Sequence, residues 1–227
     1  GLLMMRTNYD FSRHVLKYAT ERRVPLVYAS SASVYGAGRE FRVSEECERP
    51  INVYAFSKLM FDRHVRQVSS TFRSPVIGLR YFNVYGPGEA HKGGMASVIH
   101  HFREQLKSGD EIRLFAGSDG YGDGEQVRDF IHVDDIVAVN LWAWRQGGKS
   151  GIYNLGTGQA RSFNDVARAV LKWHGRGRIQ YIPFPDHLKG SYQSYTQAAL
   201  SGLRAAGYAA PFIAIEDGVP RYLDAIA

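Results

Sequence analysis

Val24-Pro25-Leu26-Val27-Tyr28-Ala29-Ser30 runs without a break into Ser31-Ala32-Ser33-Val34-Tyr35-Gly36, and the reading of this stretch decides the fold. An apolar run of this length, ending in a cluster of small polar residues, reads as a buried strand delivering hydroxyls at its C-terminal end. Upstream, Asn8 to Arg23 places Tyr9, Phe11, Val15, Leu16 and Tyr18 at helical spacing. A helix feeding an apolar strand is the second half of a βαβ unit, whose first strand is not in this sequence. The alternation then repeats. A helix from about Val53 to Phe72 carries Tyr54, Lys58, Leu59 and Phe61, and Val76-Ile77-Gly78-Leu79-Arg80-Tyr81-Phe82 reads as a second buried strand. Alternating helices and apolar strands predict an α/β fold, a parallel sheet covered on both faces.

Beyond the second strand the pattern changes. Asn83-Val84-Tyr85-Gly86-Pro87-Gly88 is a turn-rich exit from the strand's C-terminal end, the edge where ligands bind in open α/β sheets. A helix is expected from about Met95 to Lys107, then a short strand Glu111–Phe115. Gly117-Ser118-Asp119-Gly120-Tyr121-Gly122-Asp123-Gly124 reads as a mobile loop between two strands, since no Lys-Ser or Lys-Thr follows its glycines as a phosphate loop requires. Arg128-Asp129-Phe130-Ile131-His132-Val133-Asp134-Asp135 leads into a helix through Trp142 and Trp144, with Asp134 or Asp135 expected as its N-cap. Gly151–Gly156, a helix capped by Ser162 and the strand Ile179–Ile182 follow. The last third thus reads as a small mixed α/β lobe.

The 227 residues suffice for one or two domains. The net charge of +6 (28 basic against 22 acidic) is moderate, and Arg6, Arg13, Arg22, Arg23, Arg63, Arg66 and Arg73 are dispersed along helical stretches as a solvated face would have them. A nucleic-acid partner would want a concentrated basic stripe with interleaved aromatics, and none is present. Cys47 is the single cysteine, which excludes an intrachain disulfide and fits a reducing, cytoplasmic setting. The apolar runs are too short to span a bilayer, and Gly1-Leu2-Leu3-Met4-Met5 lacks the apolar core and cleavage site of a signal peptide, so a soluble protein with no membrane partner is expected.

The chemistry is carried by Tyr54-Ala55-Phe56-Ser57-Lys58 behind that serine-rich strand end. Residues i and i+4 share one helix face, so an ammonium stands beside a phenol and stabilises its phenolate. A strand-end serine can hold a substrate hydroxyl against that phenol. The set is a proton-transfer device for an alcohol or sugar carbon, of the kind that accompanies hydride transfer. Tyr-x-x-x-Lys alone also arises on ordinary helices; the serines ahead of it favour function. His91, His100, His101 and His132 have no metal-ligand spacing, and Cys47 has no base partner in sequence, so neither a metal site nor a catalytic thiol is expected.

Ser30-Ser31-Ala32-Ser33-Val34-Tyr35-Gly36, Tyr54-x-x-x-Lys58, Arg80-Tyr81-Phe82-Asn83-Val84-Tyr85-Gly86-Pro87, Arg128–Asp135 and Tyr153-Asn154-Leu155-Gly156-Thr157-Gly158, in this order, resemble the extended short-chain dehydrogenase/reductase superfamily. That resemblance implies a Rossmann-like sheet lacking its N-terminal βαβ units, nucleotide-sugar chemistry, and a dinucleotide used and regenerated within each turnover. It divides the chain into residues 1–92, the C-terminal part of a dinucleotide-binding domain, and residues 93–227, mainly a substrate lobe, with about 128–160 returning to the sheet. His91-Lys92-Gly93-Gly94-Met95-Ala96-Ser97, Tyr181–Pro185, Leu188-Lys189-Gly190-Ser191-Tyr192-Gln193 and Leu203–Tyr208 narrow the resemblance to the family of ADP-glycero-manno-heptose 6-epimerases, which serve lipopolysaccharide core-sugar synthesis.

The resemblance implies oxidation at C6 to a ketone with NADP, NAD being the alternative, and hydride return to the opposite face. Its implied catalytic residues are Tyr54 as first base, Lys92 as second base, Ser31 to orient the reacting oxygen, and Lys58 to favour the phenolate and bind the nicotinamide ribose. Val84 and Lys92 join Lys58 as cofactor contacts. Asn83, His101, Phe115, Ala116, Gly117, Ser118, Arg128 and Tyr192, with Ser31, match positions that bind the ADP-sugar. For Lys92 the other reading is a solvated loop lysine. For Arg128 it is an ion pair with Asp129 or Asp134, and for His101 a buried helix histidine bonded to a carbonyl. A homo-oligomer is implied as well. The family's Gly-x-x-Gly-x-x-Gly turn has no counterpart in this sequence, so the 227 residues alone are expected neither to bind the dinucleotide well nor to turn over. The Asp119–Val127 loop looks longer than the family's, and Gly94 and Ser191 stand where serine and arginine are expected. A different enzyme of the same superfamily, or a non-catalytic fragment, is the alternative.

Overall fold

The computed structural model describes residues 1–146, 149–186 and 192–227. In chain order the elements are α1 (Leu2–Met5), a π-helical turn (Arg6–Asp10), α2 (Phe11–Arg22), β1 (Leu26–Ser31), α3 (Val53–Gln67), β2 (Val76–Tyr81), β3 (Asn83–Tyr85), α4 (Val98–Ser108), β4 (Glu111–Phe115), β5 (Val127–His132), α5 (Val133–Gln146), β6 (Gly151–Leu155), β7 (Ala160–Ser162), α6 (Phe163–His174), β8 (Arg178–Ile182), α7 (Ser201–Ala205) and α8 (Ile215–Asp224). They form two units. The first holds Gly1–Phe82, Val137–Leu155 and Ala198–Ala210; the second holds Asn83–Ile136, Gly156–Gln197 and Pro211–Ala227.

The first unit is built on a parallel sheet in the order β1-β2-β6. Leu26 to Ser31 align with Val76 to Tyr81, which puts Ser31 and Tyr81 together at the C-terminal edge. β2 is buried along almost its whole length, as expected of a central parallel strand. Leu16, Phe61, Val65 and Val76 form a core that joins α2, α3 and the sheet. Gly78 is required here by close approach: a Cβ on it would lie 2.4 Å from the Tyr28 ring, which crosses the strand to reach α3. The helical reading of residues 8–23 holds, but Leu16 and Ala19 carry its buried face while Phe11 and Tyr18 are exposed. α3 ends at Gln67, short of Phe72, because Ser69–Thr71 closes into a 3₁₀ turn after Val68.

The second unit is mixed. β3-β5-β7 forms one sheet, with β3 parallel and β7 antiparallel to β5, and β4 pairs with β8 in parallel. Residues 194–196 run beside β5, Val127 donating to Ser194 O and Thr196 donating to Val127 O. Ile99, Phe102 and Leu106 of α4, Val166 and Val170 of α6, and Val219, Tyr222 and Leu223 of α8 fill the core over these strands. Ser162 caps α6 through a reciprocal capping box with Asp165. The cap of α5 differs from expectation. His132 does this work, its Nδ1 accepting from Asp134 N at 3.1 Å, whereas the Asp135 carboxylate turns away to accept from Ile213 N at 2.9 Å. Among the described residues no helix is long and apolar enough to cross a membrane.

Candidate active site

Ser31, Tyr54 and Lys58 all lie in the first unit, and the local structure explains how each is presented. β1 ends at Ser31, and a 3₁₀ turn (Ala32–Tyr35) follows at once. The Ser31 hydroxyl accepts from Ser33 N at 3.2 Å and from Ser33 Oγ at 2.9 Å, which fixes its lone pairs and leaves its own proton to be donated. Asn52 caps α3 by accepting from Ala55 N at 2.9 Å, so Tyr54 stands in the first turn, 40 % exposed. One turn on, Lys58 Nζ lies 5.9 Å from the Tyr54 ring centroid and donates to Ala29 O of β1 at 3.0 Å. Burial lowers the Lys58 pKa from the ordinary lysine value, and the negative charge of Asp62 acts against that. The arrangement offers an accessible phenol, an ammonium held on its helix face, and a hydroxyl at the neighbouring strand end.

Beneath this site lies a buried ion network that the sequence reading did not anticipate. Arg80 of β2 is fully buried. Its Nε donates to Asp62 Oδ2 at 2.9 Å, one terminal nitrogen donates to the Tyr35 hydroxyl at 3.0 Å, and the other pairs with Glu48 and Asp62. Arg66 makes a two-point pair with Glu48, which corrects its reading as part of a solvated face. Burial opposes the Glu48 charge, but Arg66 and Arg80 outweigh it and hold the carboxyl below the usual range. Tyr28 and Ser30 donate to Asp62 at 2.9 Å each, and Tyr35 donates to Asn154 at 2.6 Å. The signal in sequence was the arginine inside an otherwise apolar strand, together with the 54/58/62 spacing along one helix stripe. Asn8 was also missed. It sits on the π-helical turn and donates to Ser57 Oγ at 3.1 Å, and Ser57 donates to Tyr54 O at 2.7 Å.

The remaining expected site residues lie in the second unit. Asn83 opens β3 and accepts from Thr196 Oγ1 at 3.3 Å, with half-buried Val84 beside it. Lys92 is exposed on the 3₁₀ turn Ala90–Met95, as is Gly94. His101 is half-buried on α4, edge-on to His100, and lines an open groove of about 730 Å³ with Glu104, Asp110, Glu111 and Arg113. Phe115 ends β4. After it Ala116 donates to Ile182 O, Gly117 donates to Asp123 at 2.8 Å, and Gln126 donates to both Ala116 O and Ser118 Oγ at 3.1 Å. Ser191 lies outside the described residues.

Arg128 is almost wholly buried in this unit. It is 6 % exposed, its guanidinium stacked 4.8 Å from the Tyr192 centroid and 5.7 Å from that of Phe163. One terminal nitrogen donates to Val127 O at 3.0 Å. The ion pair considered for it does not form. Asp129 accepts from Thr157 N and Oγ1 at 2.7 Å and from Gly158 N at 2.9 Å, and Asp134 pairs with Arg221 at 2.6 Å. Burial lowers the Arg128 pKa, and Tyr192 and Tyr121 act against that. Among the described residues the guanidinium is held by two rings and a backbone carbonyl. Phe115, Phe184 and Tyr192 continue the aromatic array at 5.5 and 5.4 Å.

Residues 2–156 match the NAD dependent epimerase/dehydratase family. The chain belongs to that family. Over all 227 residues this epimerase/dehydratase family member is 57 % identical to the ADP-L-glycero-D-manno-heptose-6-epimerase of Alkalilimnicola ehrlichii and covers 71 % of it. It superposes on the Helicobacter pylori ADP-L-glycero-D-manno-heptose-6-epimerase crystal structure with a TM-score of 0.86 at 34 % identity, covering 98 % of this chain and 66 % of that one. The Thermus thermophilus UDP-glucose 4-epimerase, solved with NAD, matches at 28 % identity and a TM-score of 0.73, covering 92 % of this chain and 66 % of that one. The chain thus spans about two thirds of these relatives, and its α/β, Rossmann-like architecture is theirs. Cys47 is buried, with Ser44 and Glu40 as its sulfur's neighbours.

Proposed function

We propose that this chain carries the proton-transfer and substrate-binding residues of an epimerase acting at C6 of ADP-glycero-manno-heptose. The observation that carries the reading is the 57 % identity, along every residue of the chain, to a protein named for that activity. The Ser31, Tyr54 and Lys58 geometry supports it. Bound NADP supplies a hydride acceptor and donor. Tyr54, half-exposed beside an ammonium and a strand-end hydroxyl, fits the reacting end of such a dinucleotide, with Lys58 reaching its ribose and Val84 adding a contact.

Within that reading the Ser31 proton holds the C6 oxygen, its orientation fixed by Ser33. Tyr54 takes the hydroxyl proton as C6 becomes a ketone, the Lys58 ammonium standing beside its phenolate before that transfer, and the second base delivers a proton as the alcohol re-forms. Inversion requires proton handling on the opposite face, assigned here to Lys92, on an exposed turn where a second base can meet substrate. Arg128 receives the diphosphate, an anion that a buried guanidinium can grip at two points. Asn83, His101, Phe115 to Ser118 and Tyr192 complete the substrate contacts. A preference for NADP over NAD, a homo-oligomer, a cytoplasmic location and a place in lipopolysaccharide core precursor synthesis belong to the same proposal.

The test is to incubate the full gene product carrying these residues with NADP and ADP-D-glycero-D-manno-heptose and follow C6 by proton NMR. The expected result is conversion to the C6 epimer, lost in Tyr54→Phe. Turnover of a UDP- or dTDP-hexose with no reaction of the heptose would overturn the substrate reading.

A further inference from the structure

The Asp62 carboxylate is the point at which three elements of the first unit are tied. From α3 its two oxygens accept from Tyr28 and Ser30 of β1 and from Arg80 Nε of β2, each at 2.9 Å. Ser30 immediately precedes Ser31. Asp62 itself lies one turn beyond Lys58 and two beyond Tyr54 on the same helix stripe. A second bond between the same two elements, Lys58 Nζ to Ala29 O, completes the attachment. The helix that presents the phenol and ammonium is therefore fixed against the strand that presents the hydroxyl by two neighbouring side chains, one anionic and one cationic.

We infer that Asp62 is a positioning residue: it sets the register of Tyr54 and Lys58 on α3 against Ser31 at the end of β1, and its charge accompanies the Lys58 ammonium. The inference rests on the proton-transfer role proposed for Tyr54, Lys58 and Ser31. Asparagine cannot replace the carboxylate. It offers one accepting oxygen where Tyr28, Ser30 and Arg80 supply three donors across two, and its amide would turn a donor toward them. Glu48 provides the contrast. It is also buried and also paired to Arg80, but it bonds neither β1 nor α3 at the site, its second partner being Arg66 near the helix C-terminus.

The groups around Lys58 define what a titration reads. Tyr54 and Asp62 face it from α3 and the Ala29 carbonyl from β1, while Tyr28, Arg80, Glu48 and Arg66 surround Asp62 from β1, β2, the loop before α3 and α3 itself. Because the Asp62 charge favours the ammonium against burial, its removal shifts the Lys58 titration to lower pH.

The experiment compares Asp62→Asn, Asp62→Glu and Glu48→Gln in the full gene product, reading kcat and KM for the epimerisation, the urea midpoint, and the Lys58 titration by NMR of its side-chain carbon beside the ammonium. Misplacing catalytic groups by about 1 Å costs on the order of 100-fold. Asp62→Asn is therefore expected to lower kcat by roughly 10- to 100-fold with KM within about threefold, and to move the Lys58 titration down; Asp62→Glu restores part of both. Glu48→Gln loses comparable stability with kcat within about threefold and the Lys58 titration unmoved. Equal kcat losses in Asp62→Asn and Glu48→Gln, or an unmoved Lys58 titration in folded Asp62→Asn, would overturn the inference. If the wild-type protein does not act on the heptose, the proposed activity has failed, and the titration still decides whether Asp62 governs Lys58. If Asp62→Asn does not fold, Ser30→Ala, which removes one of the three donors but keeps the Asp62 charge, is expected to lower kcat by a smaller factor with the Lys58 titration not moved down, and an unchanged kcat would overturn the positioning role.

Discussion

Replacing Arg80 by methionine keeps an unbranched apolar stem and removes the guanidinium and its charge. The guanidinium is fully buried and makes charged contacts to Asp62 and Glu48 and a neutral one to Tyr35. Burial opposes its charge, but Asp62, Tyr35 and Glu48 together raise its pKa above the ordinary arginine value, so it is a cation throughout the accessible range. Three charge-assisted bonds at about 1.5–3 kcal/mol each would sum to roughly 5–9 kcal/mol gross. Burying the ion offsets much of this, and breaking a buried pair from one side costs about 3–5 kcal/mol because the partner charges are left behind. Glu48 retains Arg66, and Asp62 retains Tyr28 and Ser30, which places the expected loss nearer 3 kcal/mol. At about 2–4 °C per kcal/mol for a chain of this size, Tm falls by roughly 6–12 °C. Urea unfolding followed by circular dichroism at pH 7 and at pH 4 reads the effect. Arg80 helps hold the Glu48 carboxyl below the usual range, so the deficit is largest at neutral pH and narrows as acid protonates Glu48. An Arg80→Met protein within about 1 kcal/mol of wild type at pH 7 would refute the reasoning.

Arg128→Met should weaken substrate binding by roughly 10- to 100-fold, the value of a charge-assisted bond of about 1.5–3 kcal/mol, while leaving the urea midpoint unchanged or higher because a charge that burial disfavours is removed. Isothermal titration with ADP and a melt of the same sample check both halves. Gly218→Ala would put a Cβ 2.0 Å from the Tyr85 hydroxyl, an overpacking worth about 1–3 kcal/mol. Tyr85→Phe should be neutral or stabilising, since that buried hydroxyl has no hydrogen-bond partner among the described residues, and should recover much of the Gly218→Ala loss in the double variant. His132 must be neutral to accept from Asp134 N, and burial lowers its pKa from 6.5. Its contribution is therefore complete above the unfolded value of about 6.5 and declines as pH falls from there toward the lower folded value. In His132→Asn, that part of the acid limb should flatten in a pH series of urea midpoints.

The sheet of the first unit was legible because β1 and β2 are short apolar runs between helical patterns; β2 is buried as that signature implies, whereas β1, at the end of the sheet order, is mostly half-buried with Ala29 exposed. Ser31, Tyr54 and Lys58 were legible for a related reason: their spacing along one helix and one strand end is local. What the sequence concealed is long-range pairing between charges. Glu48 reads as a loop acid and Arg66 as a solvated helix residue until the fold brings both to Arg80. The α5 cap shows the same limit at shorter range. Two aspartates stand where caps occur, but burial of β5 carries the His132 ring to the helix end first, and Asp135 is drawn off to Ile213. The exposed faces of Phe11 and Tyr18 show that helical periodicity identifies the helix without deciding which of its apolar residues are buried.

Conversion of the heptose at C6 is the most direct test of the account. The full gene product is incubated with NADP and ADP-D-glycero-D-manno-heptose and the C6 proton is followed by NMR, wild type beside Tyr54→Phe and Lys58→Met. The account predicts that wild type reaches an equilibrium mixture of the two C6 epimers while both variants, folded by circular dichroism, are slowed by at least about 100-fold, the scale of a positioned acid–base group. Equal rates in wild type and Tyr54→Phe would contradict it.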